Sequence, residues 1–332
     1  MAGKYRESDY LYGSARIRAL EGQRIGRDRL ERMLEVHTSD EVMTMVADHG
    51  FVCSGESREE CLLTGLSNGY AEVERATEGK PSPVRFLRYP YDCNNIKALI
   101  KCFARGIAPD AMLFDSLGSL CVEEIKLAFE AKDYRIFPSH MAQAIPQAEE
   151  AFAQTGNPQK VDLILDRACY ADMLADAEDS GVAYSVRLVQ TKIDLTNLMT
   201  CLRLIRMDSG AAAEAFLEEA LLLGGTLDRT VFTESLSAGE QSMSERLSYS
   251  RYAGFASLLA EGSPLHVLEK WSDDFWMELA REAKFVPFGA EVLVGYAVAL
   301  EYEVKNIRIL LAGKDAGLES DVIRERLRKS YV

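Results

Sequence analysis

Residues 295–317, GYAVALEYEVKNIRILLAGKDAG, set a carboxylate (Glu303), an asparagine three residues on (Asn306) and an aliphatic residue (Ile307) inside an apolar helical run closed by Gly317. The same order occurs twice more. Residues 89–106, YPYDCNNIKALIKCFARG, carry Asp92, Asn95 and Ile96 and close at Gly106; residues 190–210, QTKIDLTNLMTCLRLIRMDSG, carry Asp194, Asn197 and Leu198 and close at Gly210. The carboxylates follow one another at intervals of 102 and 109 residues. Three copies at near-constant spacing predict a triplicated chain, with helical modules at 1–118, 119–225 and 226–332.

Residues three apart share one face of a helix, so each acid sits above its asparagine. Ile96, Leu99, Ile100 and Phe103 then follow at helical spacing, as do Leu198, Cys201, Leu202 and Ile205, and Ile307, Leu310 and Leu311; each set is a core stripe. An acid and an amide bordering a buried stripe are expected to satisfy donors and acceptors of neighbouring helices, because unpaired buried polar groups cost several kcal/mol. The alternative is three carboxylates converging on a ligand or metal. No His or Cys accompanies them at ligand spacing, which favours the packing role.

Composition narrows the function. Across 332 residues, 38 Lys and Arg face 52 Asp and Glu, a net charge of −14. Nucleic acid is therefore not expected as a partner, since binding it takes a basic stripe that displaces phosphate counterions. A hydrophobic content of 48% supports a packed core. Seven scattered cysteines, none spaced as CxxC, fit small buried thiols in a reducing compartment. The segment MAGKYRESDYLYG has no apolar core of a signal peptide. No stretch of ~18–20 residues lacks charge, so no membrane-spanning helix is expected.

Along the chain, residues 8–35 read as one helix continuing beyond Gly26, capped by Ser8 or Asp9. Ser39 is placed as the cap of a second helix closed by Gly50. Pro90 is placed at the start of the first signature helix. Amphipathic segments follow around 115–131, 138–152, 158–180 and 184–207, with stops at Gly156, Gly181 and Gly224–Gly225. The last third holds VLEKWSDDFWMELAREA, a turn at Pro287–Gly289, the third signature helix and a short final helix. No sustained period-2 alternation occurs and no Asn-Gly or Asp-Gly stands between alternating runs, so the predicted class is all-α.

Catalytic patterns are scarce. Gly79-Lys80 and Gly313-Lys314 continue with Pro81 and Asp315 rather than forming a phosphate loop, and the four histidines are isolated. One acidic group remains. Asp273, Asp274 and Glu278 sit about one helical turn apart, as a magnesium-dependent α-helical enzyme would want, but the fifth position of a DDxxD pattern is Met277. A helix N-terminus enriched in acids explains the group more simply, through the helix dipole. No cofactor is implied.

Four segments carry a resemblance: DYLYGSARIRALEG at 9–22, YDCNNIKALIK at 91–101, KIDLTNLMTCLRLIR at 192–206 and EYEVKNIRILLAGKDAGL at 301–318. In this order they resemble the C-subunit family of rotary V/A-type ATPases, whose eukaryotic relative is called the d subunit. Leu117-Gly118-Ser119-Leu120 and Gly224-Gly225-Thr226-Leu227 look like that family's small-residue turns after the signature helix. The resemblance implies a non-catalytic rotor part: an all-helical funnel of three similar domains arranged as a pseudo-threefold. Its implied partners are the coiled-coil central shaft with its small companion, and the cytoplasmic loops of the proteolipid ring. The implied location is cytoplasmic, peripheral to the membrane through the complex. Lys97 and Arg308, each two residues beyond the asparagine, are candidate partner-facing positions or, more simply, ordinary solvated surface charges, whereas Met199 stands there in the second copy. A free helical adaptor, or the metal-dependent enzyme on Asp273, Asp274 and Glu278, is the competing reading.

Overall fold

A computed structural model of the chain describes residues 5–51, 57–107, 113, 116–207 and 211–332. Among these residues the protein is helical, with no strand. A 3₁₀ turn at Glu7–Tyr10 leads into α1 (Leu11–Glu21), followed by α2 (Arg27–Glu35), α3 (Ser39–Ala47), α4 (Arg58–Ala76) and α5 (Arg85–Arg105). Then come α6 (Val122–Ala131), α7 (Ser139–Thr155), α8 (Pro158–Ser180) and α9 (Ala183–Met207). The remainder is α10 (Ala211–Ala220), α11 (Arg229–Ala238), α12 (Glu240–Leu247), α13 (Ala253–Ala260), α14 (Leu265–Arg281), α15 (Ala290–Asp315) and α16 (Ser320–Arg326).

The helices gather into two compact units. One combines both ends of the chain, 1–84 and 265–332, with the short stretch 180–185; the other holds 85–179 and 186–264. The first unit is built on α15, which packs against α1, α3, α4, α14 and α16. Its run from Val292 to Leu300 is buried without a break, as expected of a helix apolar on every side. The second unit contains α5, packed on α6 and α7, and the successive α10–α13 contacts.

Several local expectations are corrected. The helix expected over 8–35 breaks between Glu21 and Arg27. Gly22 and Gly26 flank the break, and the Ile25 N–H is given to Glu303 instead of to its own helix. Pro90 lies inside α5 rather than at its start. Losing one helical hydrogen bond there costs about 3 kcal/mol. The turn ahead of it buries Phe86, Leu87 and Tyr89, each worth roughly 1.5–3 kcal/mol, so the helix runs through. Thr38, not Ser39, caps α3, forming a reciprocal capping box with Glu41. Cys93, Cys102, Cys169 and Cys201 are free and buried, and Cys121 is free and exposed. Cys61, by contrast, is disulfide-bonded, so thiols do not account for every cysteine; an odd, scattered count leaves room for a pair. Gly210 and Cys53 lie outside the described residues.

Candidate functional site

The three signatures occupy the interiors of the long helices α5, α9 and α15, and in each the carboxylate is turned into the protein. Asp92 is 5% exposed and faces the turn that leads into α6. Ser119 donates its backbone N–H at 3.0 Å and its hydroxyl to one carboxylate oxygen; the Leu120 N–H reaches the other at 3.2 Å. Gly118 lets this turn come close, because a Cβ there would stand 2.2 Å from Asp92 Oδ1. Burial pushes the Asp92 carboxyl above its ordinary range, and the Ser119 and Leu120 donors pull it back.

Asp194, fully buried, does the same to the turn before α11. The Thr226 N–H lies 2.9 and 3.0 Å from the two oxygens, and the Leu227 N–H lies 3.0 Å away. The hydroxyls of Thr226 and Tyr252 complete the set, the latter at 2.7 Å. A Cβ on Gly225 would sit 2.1 Å from Asp194 Oδ1. Charged acceptors gripping several donors make the stronger class of hydrogen bond, and here they fix a helix start against the middle of another helix.

The third clamp closes on the beginning of the chain. Glu303 accepts the Ile25 N–H at 2.8 Å and the Arg24 guanidinium at 3.2 Å. Leu120 before Val122, Leu227 before Arg229 and Ile25 before Arg27 each leave one residue between the donor and the first residue of the following helix. Thus α2 stands to Glu303 as α6 stands to Asp92 and α11 to Asp194. Among the described residues no hydroxyl takes part here; Arg24 replaces it, and its guanidinium also lies 5.5 Å over the Tyr296 ring. Burial pushes the Glu303 carboxyl up to about 7 against the pull of Arg24 and the Ile25 N–H.

The asparagines serve a second segment. Asn197 donates to the Leu222 carbonyl and accepts the Leu222 N–H, both at 2.9 Å. Asn306 binds Arg328 in the same way, accepting its N–H at 2.8 Å and donating to its carbonyl at 3.1 Å. Asn95 is fully buried. Further bonds stitch the first unit's two chain ends together. Ser39 reaches Asp315 at 2.5 Å, the Leu34 carbonyl accepts from Lys314 at 2.7 Å and from Ser320 at 2.8 Å, and Arg324 pairs with Glu31 at 2.9 Å.

Lys97 and Arg308 are both engaged within the chain. Lys97 pairs with Asp166 at 2.6 Å and approaches Asp162 at 3.9 Å, with its side chain 15% exposed. Arg308 forms a two-pronged contact with Glu59 on α4. A partner meets these cations only in competition with those acids. Asp273 accepts from Lys305 at 2.5 Å, Arg328 at 2.8 Å and the Tyr302 hydroxyl at 3.2 Å. Asp274 accepts the Lys329 N–H at 2.6 Å, and Glu278 pairs with Lys329 at 2.9 Å. A magnesium ion would have to displace these cations, and among the described residues no cluster of His, Cys, Asp and Glu is arranged to hold a metal.

Sequence reasoning located the acids and asparagines but not what they grip. The small-residue turns at 117–120 and 224–227 were visible as such; Arg24 and Ile25 gave no signal beyond Gly22 and Gly26 around them, and Tyr252 gave none.

Residues 14–326 match the ATP synthase (C/AC39) subunit family. The chain belongs to this family. Its relatives include the C subunit of the V-type sodium ATPase of Enterococcus hirae, 22% identical over 95% of this chain and 97% of the relative. The C subunit of the A-type ATP synthase of Methanocaldococcus jannaschii is 24% identical over 96% of this chain and 86% of its own. That of Haloferax volcanii is 28% identical over 73% of this chain and 72% of its own. The C subunit of such ATPases is a structural part of the rotary complex and not its catalytic part. Among the described residues, no helix is long and apolar enough to cross a membrane.

Proposed function

We propose that this chain is the central-stalk rotor subunit of a V/A-type ATPase or ATP synthase. In this reading it joins the central shaft to the membrane proteolipid ring and passes rotation between them, for ATP-driven ion transport or for ATP synthesis. The family match across 14–326 carries the reading. The clamps add physical support: a torque-bearing part needs helix junctions that do not slide, and buried carboxylates holding several donors supply them. The three modules, 1–118, 119–225 and 226–332, are proposed to form a pseudo-threefold funnel, with α2 completing the third. The coiled-coil shaft and its small companion are the partners on one side, and the cytoplasmic loops of the ring on the other. The protein would then be cytoplasmic and peripheral to the membrane through the complex.

The test is recovery of a tagged chain from gently detergent-solubilised membranes, with every co-purifying protein identified by mass. A small proteolipid, a coiled-coil shaft protein and the ATPase head are expected together. Recovery of the chain alone, from cells whose membranes contain an intact complex, overturns the rotor reading and favours a free adaptor.

A further inference from the structure

The last part of the first unit presents an apolar trough that, among the described residues, no element of that unit fills. One wall is a stripe on α15 and its C-terminal cap: Lys305, Ile309, Ala312 and Ala316 recur at steps of four, three and four residues, which is a single helix face. Ala312 and Ala316 are exposed and Ile309 is half-buried, Leu310 and Leu311 on the other side are buried, and Gly313 is buried on the trough side beneath α16. The opposite wall is Leu318 and Val322, each 39% exposed. The trough measures about 710 Å³ and its lining is mostly apolar.

The wall is rigid by construction. Asn306 of the third signature holds the backbone of Arg328, and Ile323 of α16 is pressed so close to Gly313 that a Cβ there would lie 2.6 Å from it. The rim is basic. His266, Lys270, Lys305, Arg326 and Arg328 line it, against Glu269 and Glu325, in a chain whose net charge is −14. Lys305 and Arg328 share Asp273. Among the described residues the side chains of His266 and Arg326 have no partner, and both are exposed.

From this juxtaposition we infer that the trough between α15 and α16 seats one acidic amphipathic α-helix of a partner protein in the complex. Apolar residues of that helix at i, i+3, i+4 and i+7 lie against Ile309, Ala312, Ala316 and Val322, and its flanking Asp and Glu residues face Arg326 and His266. The stretch from Lys305 to Ala316 is about 16 Å long at ~1.5 Å per residue, room for roughly three turns of the incoming helix. Alanines on the wall allow close approach of a cylinder, and a concave trough suits a helix better than a flat lipid surface. Helix-in-groove docking with these anchors is a recurring recognition mode, and complementary rim charge sets its specificity and encounter rate.

The inference rests on membership of a rotary complex, and its test separates the two. In the complex purified from membranes, a photo-crosslinking amino acid in place of Ala312 is expected to capture a partner segment with helical apolar spacing and flanking Asp and Glu. The double variant H266E/R326E, at exposed and unpartnered positions, is expected to lower recovery of that same partner roughly tenfold, because the reversed rim charges repel its acidic flanks. Capture of lipid, or of a segment without that pattern, overturns the trough as a helix seat. So does unchanged recovery in the double variant. If the unmodified chain recovers no ATPase partner at all, it is the rotor reading that fails.

Discussion

Asp194→Asn is the sharpest probe of the clamps. The change is isosteric, so no cavity opens. The retained carbonyl still accepts the Thr226 and Leu227 N–H groups, which now lie 2.9–3.0 Å from a carboxylate oxygen. The new NH₂ faces the hydroxyls of Thr226 and Tyr252, which must turn their protons away from it. Bonds to a charged acceptor are worth about 1.5–3 kcal/mol and neutral ones about 0.5–1.5, so four donors lose about 1 kcal/mol each. Part of this returns because a charge no longer has to be buried, leaving a destabilisation of about 2–3 kcal/mol. Amide hydrogen exchange reads it locally: the Thr226 and Leu227 amides should exchange roughly 30- to 150-fold faster, at about 1.4 kcal/mol per factor of ten. Thr226→Val removes the hydroxyl alone and should cost about 1 kcal/mol, and the double variant should fall short of the sum because the two sites share a bond. An Asn variant within about 0.5 kcal/mol of the parent would refute the clamp, since its donors would then be satisfied elsewhere.

Glu303 makes stability depend on pH. Folded, it keeps its proton to about 7, against an ordinary value of 4.5; the folded state therefore binds the extra proton between these values, and stability falls as pH rises through that window and is level above it. At about 1.4 kcal/mol per pH unit the loss is about 3 kcal/mol, and Glu303→Gln should flatten the curve in urea titrations at pH 5, 6, 7 and 8; an unchanged slope counts against it. Gly225→Ala should destabilise the second unit by about 1–3 kcal/mol, as overpacked sites do, because its Cβ meets Asp194 Oδ1 at 2.1 Å; thermal melts check this, and an unaltered Tm means the turn can back away. Lys97→Glu sets a third acid beside Asp162 and Asp166; a melting temperature lower by several degrees is expected, most of it restored by Asp166→Lys, and failure of that rescue removes the ion pair as the cause.

Much of this protein was legible in the order of its residues. Helical periodicity is a relation between residues three and four apart, so the all-α class, the signature helices, and the glycine stops at Gly106, Gly181 and Gly317 could be read directly. The polarity of Asp92, Asp194 and Glu303 beside core stripes also announced buried carboxylates that needed partners. Which partners they take is a tertiary matter. The Ile25 N–H and Glu303 are 278 residues apart, and nothing local in GQRIGR signals that its amide is owed to a helix at the other end of the chain. The same long-range demand breaks the expected 8–35 helix, because an amide given to a buried carboxylate is lost to its own i−4 carbonyl. Lys97 and Arg308 look like free surface cations in sequence, and only the arrival of α8 and α4 beside them supplies the acids that hold them. Local spacing determines where helices and polar signatures lie; burial, which depends on the whole chain, decides what each polar group must bond.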